Sequence, residues 1–239
     1  VQFHLDPGPG ALTLMKEAGL NIRETVAIFL TNSHWIHSND VNALVAGMTY
    51  QGMDKNGVLI SNRTSYNGKG DSPSVITKES KNYVEKSLAL DDDSKVGINE
   101  VDIKTLYARH KDEKPIGLRF LTKQFLLSYT STTEYNKSLV EAHKGSKILI
   151  INCKNPFGIE ESGYMNSQDA MDLINEVNPE LAILTGFGVK MIQANPMYEV
   201  REIQKQVKSQ VIAAKDGLII DPVSYSATLK EKTLSLTKM

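Results

Sequence analysis

The chain has 239 residues, which is long enough for one large α/β domain with a continuous hydrophobic core. Its 27 Lys and Arg residues nearly balance its 28 Asp and Glu residues, and the formal net charge is −1. This balance does not indicate a nucleic-acid-binding protein, and it provides no attraction to an anionic membrane surface. No apolar stretch approaches the roughly 20 residues that cross a bilayer.

The single cysteine, Cys153, lies at the end of an apolar run that begins after Lys147. One cysteine cannot form an intramolecular disulfide, which favours a reducing compartment, and its apolar neighbours predict a buried structural thiol. The first residues also lack the pattern of a secretion signal. Together these features predict a soluble, cytoplasmic protein without a membrane segment.

The predicted elements alternate between strands and helices at both ends of the chain. A strand-like run over 1–6 enters a Pro-Gly-Pro-Gly turn at 7–10, and a helix follows over 11–19. The apolar run 26–30 is typical of a strand buried on both faces. The remaining predictions are helices over 39–50, 133–144, 167–178 and 195–210, and strands within 57–64, around 75, and over 96–108, 116–129, 147–152, 181–185 and 211–220.

Two further patterns bear on the organisation of the chain. Ala170, Leu173, Ile174 and Val177 recur at helical spacing, which predicts an amphipathic helix packed on a sheet. The segment 61–74 is rich in Asn, Gly and Ser, which predicts a mobile loop. No shift in composition marks a linker, so we expect a single domain over 1–239.

Seven short segments, spread over about 5–221, carry a family resemblance. They are Leu5-Asp-Pro-Gly-Pro-Gly-Ala-Leu12, the strand entering Thr31-Asn-Ser-His-Trp-Ile-His37, Ala108-Arg-His110 with the strand 116–120 after it, Tyr129-Thr-Ser-Thr-Thr133, 164–170, Leu184-Thr-Gly-Phe-Gly188, and 214–218. In this order they resemble the metallo-β-lactamase superfamily, and most closely its tRNase Z-like branch. The resemblance implies an αββα sandwich of two mixed sheets flanked by helices. The family usually opens with a β-hairpin, which we expect to be missing here.

The resemblance also shows which metal-binding positions have changed. The family's hydrolysis uses water activated by one or two zinc ions on imidazole and carboxylate ligands. In the HxHxDH motif the first histidine falls on Asn32 and the aspartate on Ile36. The bridging aspartate falls on Thr132, the last histidine on Gly186, and the histidine that assists proton transfer on Tyr164. We therefore expect no catalytic residue and no cofactor.

Three family-matching histidines remain, namely His34, His37 and His110. The resemblance assigns His34 and His110 to one metal and His37 to the other, which favours histidines that are hydrogen-bonded in a residual pocket. The alternative is one zinc ion held by all three at reduced occupancy. His4 and His143 have no family counterpart, and we expect surface or structural roles for them.

Changed ligands within preserved turns, strands and helices predict a non-catalytic pseudoenzyme that serves as a binding or interaction module. By resemblance, its partner is an active paralogue or a second copy in a homodimer. Trp35, Tyr66 and Tyr164 are candidates for the partner surface. The alternative function is a phosphodiesterase-like or nuclease-like hydrolase with a single metal. A third possibility is a cleft that binds a nucleotide or phosphate through 130–133, where a helix-capping Thr is the competing interpretation.

Overall fold

Two sheets stacked face to face form the centre of the fold. The computed structural model describes residues 1–111 and 114–229. The described helices are α1 (Ala11–Glu17), α2 (Trp35–Ser38), α3 (Val41–Met48), α4 (Arg63–Asn67), α5 (Lys78–Tyr83), α6 (Lys137–His143), α7 (Ser167–Val177), α8 (Val189–Ala194) and α9 (Pro196–Gln204). The described strands are β1 (Gln2–Leu5), β2 (Thr25–Leu30), β3 (Val58–Asn62), β4 (Lys86–Leu90), β5 (Lys95–Ile98), β6 (Val101–Tyr107), β7 (Ile116–Leu121), β8 (Leu126–Tyr129), β9 (Ile148–Asn155), β10 (Met165–Asn166), β11 (Leu181–Thr185), β12 (Gln210–Ala213), β13 (Leu218–Ile220) and β14 (Ala227–Leu229).

The smaller sheet has the order β1-β2-β3-β4. All three of its pairings are parallel, because each strand returns to the sheet through a helical crossover that contains α1, α3 or α5. The αββα arrangement is confirmed, but this sheet is parallel throughout and not mixed as expected. All four carboxyl ends of its strands therefore point to one edge of the sandwich.

The larger sheet is mixed and has the order β12-β11-β9-β8-β7-β6-β5, with β10 added beside β9. Strands β8, β9, β11 and β12 run parallel, and helices connect them. Strands β5 to β8 pair antiparallel as a meander. A separate hairpin of β13 and β14 follows, so the expected strand over 211–220 is divided into two.

Three layers of apolar packing hold these elements together. Phe29 and Ile60 of the smaller sheet meet Leu118 and Phe120 of the larger sheet between the two. On the outer face of the smaller sheet, α3 packs through Leu44 and neighbouring residues. On the outer face of the larger sheet, α6, α7 and α9 cover strands β9 and β11. Helices therefore cover both faces of the sandwich.

Helix α7 shows how local sequence sets an element that the periodicity predicts. Asn166 accepts a hydrogen bond from the Asp169 N–H, and the Asp169 carboxylate accepts one from the Asn166 N–H. This capping box starts the helix, and Ala170, Leu173 and Ile174 are fully buried on its sheet-facing side. The predicted helix over 167–178 is confirmed.

Two local predictions are wrong. No strand forms around 75 in the described chain; instead Ile76 is buried against the smaller sheet, and α5 and β4 follow it. The segment 61–74 contains α4, whose first turn is capped by Asn62, so it is not a loop throughout.

None of the described helices is long and apolar enough to cross a bilayer. Residues 112–113 and 230–239 of the expected single domain lie outside the described residues.

Candidate functional site

Four strand ends bring the family-motif segments together at one edge of the sandwich. Asp6 follows β1, and the motif loop 31–37 follows β2. From the larger sheet, 130–133 follows β8 and Gly186 follows β11. Gly8 packs this edge tightly, since a Cβ there would lie 2.0 Å from the Ile36 carbonyl oxygen. The turn at 7–10 therefore supports the motif loop.

The Asp6 carboxylate is the central acceptor of the site. Oδ1 accepts the Thr31 N–H at 2.7 Å, and Oδ2 accepts the Thr31 hydroxyl at 2.6 Å and the Tyr129 hydroxyl at 3.0 Å. Burial and the adjacent Asp6 raise the pKa of Tyr129 well above its ordinary value, so its hydroxyl stays protonated and donates. The His37 ring supplies a further contact to Oδ2 at 3.0 Å from Nδ1.

These contacts determine the hydrogen bonding of His37. An ionised carboxylate only accepts, so Nδ1 of His37 carries the proton that it donates to Asp6. The other ring nitrogen, Nε2, lies 2.9 Å from the Thr132 hydroxyl oxygen. The Thr132 hydroxyl therefore lies on the side of the ring where a metal ion on Nε2 would bind. His37 is buried, with 6% of its surface exposed.

Asn32 is used entirely within the protein. Its amide nitrogen donates to Thr31 Oγ1 at 3.2 Å and to Ser131 Oγ at 3.3 Å. Its side-chain oxygen accepts the backbone N–H of His34 at 3.0 Å. Ser131 in turn donates to Thr31 Oγ1 at 2.6 Å. The amide thus joins the motif loop to the loop after β8.

Asn152 fills the space beside Gly186. Gly186 has a positive φ of 69°, and a Cβ at this position would lie 2.5 Å from Cγ and from Oδ1 of Asn152. The Asn152 amide nitrogen also donates to Thr132 Oγ1 at 3.3 Å. A histidine at 186 and the present Asn152 conformation are therefore sterically incompatible.

His110 and Tyr164 form a second small cluster. The Nδ1 atom of His110 is 2.8 Å from the Gly163 carbonyl oxygen, and it is the donor because a carbonyl only accepts. The Tyr164 ring meets the His110 ring edge to face at 4.6 Å between centroids. The Lys154 ammonium lies 3.5 Å from the Tyr164 ring centroid, which is cation–π distance. Tyr164 is therefore packed and not a free aromatic surface.

The exposed part of the motif loop is short. His34 is exposed, and its Nδ1 caps α2 by accepting the Ile36 N–H at 3.4 Å. Trp35 is 62% exposed and Ile36 is 47% exposed. Of the three aromatic residues considered for a partner surface, Trp35 is exposed, whereas Tyr66 bonds to Ser87 and contacts Lys81.

The described residues do not fit a zinc site of the family type. Among them, no group of three or more His, Cys, Asp or Glu side chains is arranged to hold a metal ion. The hydroxyl of Thr132 faces Nε2 of His37 and in turn accepts from the Asn152 amide, and neutral hydroxyl and amide groups are poor zinc ligands. The Asp6 carboxylate contacts Nδ1 of His37, which is the ring nitrogen on the side away from Thr132.

The order carboxylate, imidazole, hydroxyl in Asp6, His37 and Thr132 is also that of a nucleophilic triad. Such a triad needs a substrate carbonyl close to the hydroxyl. Thr132 is only 6% exposed, and it lines neither of two clefts found among the described residues, which measure about 980 and about 600 Å3. The arrangement is therefore an internal support for the loops.

Sequence reasoning missed three residues of this network: Asp6, Tyr129 and Asn152. Asp6 and Tyr129 lie within segments that carry the resemblance, but only the structure shows that one accepts from the other. Asn152 is a polar residue inside the apolar run of β9, and that interruption is the signal that could have identified it. Helix α6 is capped by Asn136, so the interpretation of a capping Thr within 130–133 is wrong.

Comparison with known proteins agrees with the geometry. Residues 2–187 match the description "Beta-lactamase superfamily domain". The chain is 32% identical over 223 residues to an uncharacterized protein of Methanocaldococcus jannaschii, a match that covers 92% of this chain and 83% of that protein.

Solved structures show the same fold at low sequence identity. The metallo-beta-lactamase fold protein YhfI from Bacillus subtilis has a TM-score of 0.74 at 18% identity, covering 88% of this chain and 83% of that chain. A diphosphatase from the PhnP family has a TM-score of 0.65 at 15% identity, and the match covers 90% of this chain and 76% of that chain. The short form of human tRNase Z has a TM-score of 0.63 at 13% identity, and the match covers 92% of this chain and 87% of that chain.

Proposed function

We propose that this chain, which belongs to the β-lactamase superfamily, is a non-catalytic member that serves as a binding or interaction module. Its motif loops stay at the same edge of the fold, but their side chains bind one another. The fold is thereby retained without the ligands that activate water.

The observation that carries this proposal is the position of the His37 ring between Asp6 and Thr132. Both ring nitrogens are within 3.0 Å of these partners. A zinc ion on Nε2 would displace the Thr132 hydroxyl in a buried site, and among the described residues no group of three or more His, Cys, Asp or Glu side chains is arranged to hold it. New ligands therefore do not offset the free-energy cost of placing the ion in this site.

A second candidate function is a hydrolase with one metal ion on His34, His37 and His110. One observation favours it: Nδ1 of His110 bonds to the Gly163 carbonyl, which leaves Nε2 as the ring's acceptor. The other two rings do not support it, because His37 is used as above and Nδ1 of exposed His34 caps α2. We therefore favour the non-catalytic role.

Hydrolysis of bis(p-nitrophenyl) phosphate, measured with and without added Zn²⁺ or Mn²⁺, tests the proposal. We expect no metal-dependent rate above that of buffer with metal. The matched variant is His110→Ala, which removes the ring that retains an acceptor nitrogen. A metal-dependent rate in the wild type that disappears in this variant would establish the hydrolase and contradict our proposal.

Compartment and partner are parts of the same proposal. Cys153 is buried and forms no disulfide, in keeping with a reducing cytoplasm. Trp35 and Ile36, both exposed at the motif loop, are the surface we assign to a second copy or an active paralogue. Light scattering of the wild type and of Trp35→Ser tests the homodimer, which predicts a dimer in the wild type and a monomer in the variant.

A further inference from the structure

The two sheets of the sandwich differ in width, so part of the larger sheet has no counterpart in the smaller one. The smaller sheet has four described strands, with β1 at one end, whereas the larger sheet has eight. β1 lies across from β7 and β8, since the ring centroids of Phe3 and Phe120 are 5.9 Å apart and Asp6 accepts from Tyr129. Strands β9, β11 and β12 therefore extend about 14 Å beyond β8, at about 4.8 Å a strand.

An apolar strip lies on this extended part of the larger sheet, on the face that the smaller sheet covers elsewhere. It consists of the half-buried side chains of Leu127, Ile150 and Ile212. Leu127 also packs against the core between the two sheets, so the strip begins at β1. At its far end, Ile220 and Tyr225 of the β13–β14 hairpin pack on the same cluster. The space above the strip is therefore bounded by β1 on one side and by the hairpin on the other.

The free edge of β1 faces this space. Among the described strands, β1 pairs only with β2. The Asp6 N–H donates to the Phe29 carbonyl on β2, and successive residues of a strand turn their backbone groups to opposite edges. Phe3 and Leu5 therefore direct their N–H and C=O groups away from β2. Two backbone donors and two acceptors are available at this edge.

β1 also lacks the residues that usually protect an edge strand from pairing. Edge strands of soluble proteins often carry a lysine or a proline for this purpose. The edge strands β4 and β5 begin with Lys86 and Lys95, whereas β1, Gln2–Leu5, contains no lysine, proline or carboxylate. The edge of β1 is therefore competent to accept a further strand.

The shape of the space selects its occupant. A second copy of the chain cannot pair edge to edge through β1, because its own β9, β11 and β12 would enter the layer that these strands already fill. A helix uses its backbone groups internally and has none to offer the edge. A single extended segment meets both requirements, since its backbone can pair with Phe3 and Leu5 while alternate side chains lie on the strip.

We propose that an extended segment of a partner protein binds here as a fifth strand of the smaller sheet. Its backbone pairs with Phe3 and Leu5, and its alternate apolar side chains pack on Leu127 and Ile150. The inference rests on the proposed binding function and adds the form in which a partner binds. The place is separate from the motif loop that we assign to a second copy or an active paralogue.

Titration of the full chain with a synthetic peptide tests this inference, and hydrogen exchange measured by NMR follows the amides of Phe3 and Leu5. The probe is acetyl-Lys-Thr-Leu-Thr-Val-Thr-Leu-Thr-Lys-amide, which presents apolar side chains on one face. We expect saturable one-to-one binding and at least about tenfold slower exchange of the two amides. The matched peptide with an N-methyl group on every residue keeps the side chains but loses the N–H donors, and it should not bind.

A pair of protein variants tests the strip. Ile150→Lys places a charge on it and should weaken binding of the probe at least about tenfold. The matched control is Ile192→Lys, at a side chain that is 61% exposed on α8, and it should bind like the wild type. Circular dichroism of each variant shows whether it is folded. If Ile150→Lys does not fold, the methylated peptide still decides the question.

Absence of saturable binding, or equal binding of the methylated peptide, would overturn the inference. Slow exchange of the Phe3 and Leu5 amides in the protein alone would also overturn it, because the edge would then be covered by the chain itself. Protection that increases with protein concentration would overturn it in favour of a second copy. These failures are distinct from failure of the non-catalytic proposal, which the hydrolysis assay measures independently.

Discussion

Asp6 Oδ2 and His37 Nδ1 are 3.0 Å apart, and both side chains are more than 90% buried. The carboxylate holds the imidazole so that its other nitrogen, Nε2, faces the Thr132 hydroxyl at 2.9 Å. One pair thus connects the turn after β1, the motif loop after β2 and the loop after β8. Asp6 is therefore an internal acceptor that holds these three loops together.

Replacing Asp6 by alanine removes the acceptor for Thr31, Tyr129 and His37 at once. Since buried donors that lose a charged acceptor pay their full desolvation cost, we expect a loss of about 3–5 kcal/mol in the free energy of unfolding. Urea denaturation of Asp6→Ala measures it. The control Asp216→Ala removes an exposed carboxylate and should change stability by less than about 0.5 kcal/mol. Equal effects in both variants would show that Asp6 does not organise the site.

The contact between Gly186 and Asn152 predicts a non-additive pair of substitutions. Gly186→Ala must accept both the positive φ and the clash, so we expect it to cost about 3 kcal/mol. Gly145→Ala is the matched control, because Gly145 has φ 81° but open space where a Cβ would lie, and it should cost only about 1 kcal/mol.

In the background of Asn152→Ala, the cost of Gly186→Ala should fall to that of the control. A double-mutant cycle by chemical denaturation gives the coupling energy directly. Additive costs would mean that Asn152 does not occupy the space of a residue at 186.

The buried histidine His143 should make the free energy of unfolding fall as the pH is lowered. Neither of its ring nitrogens has a hydrogen-bond partner among the described residues, and burial, with a smaller contribution from the charge of Arg119, lowers the pKa of His143 to about 3. In the unfolded chain a histidine has a pKa of about 6.5, so the unfolded state takes up the proton first as the pH falls. The stabilisation is fully present above pH 6.5 and is lost progressively between about 6.5 and 3, with a total on the order of 5 kcal/mol.

The variant His143→Leu should flatten that part of the pH profile and be at least as stable as the wild type at pH 7, because no hydrogen bond is lost. Denaturation curves at pH 7, 6, 5 and 4 compare the two proteins. Parallel profiles would show that the histidine does not stay neutral in the folded state. The sequence leaves a surface or a structural role open for His143. Because His143 is fully buried, the structural role is the one that the fold supports.

Cys153 should be inert in the native state. It is fully buried, and burial raises the pKa of its thiol well above the ordinary value, so the reactive thiolate is scarce. We expect Ellman's reagent to label less than about a tenth of the chains in buffer and all of them in guanidinium chloride. Rapid labelling of the folded protein would mean that β9 is exposed by local opening.

Much of the fold is readable from the sequence because its signals are local. The run 26–30 predicts β2, and the periodicity of Leu173 and Ile174 predicts α7. The Pro and Gly residues at 7–10 also predict a turn, and the structure shows that Gly8 in this turn packs closely against the Ile36 carbonyl oxygen. The strand expected near 75 fails because Ile76 is buried by packing on the sheet and not by pairing in it.

The site is less readable because its bonds join distant segments. The family resemblance implies that Thr132 and His37 lie near one another, but it does not show that the hydroxyl and the ring are hydrogen-bonded to each other. The role of Asn152 depends on Gly186, which is on a different strand end and has no side chain to suggest a partner. The resemblance implies which ligand positions have changed, and the structure shows which contacts the residues at those positions make.

Zinc content tests the central claim most directly. The protein is purified without chelator, its metal is measured by elemental analysis, and wild type, His34→Ala and His37→Ala are titrated with zinc by calorimetry. We predict well below one ion per chain and no saturable site in the wild type. Near-stoichiometric zinc that is lost in either variant would contradict the account and identify a working metal centre.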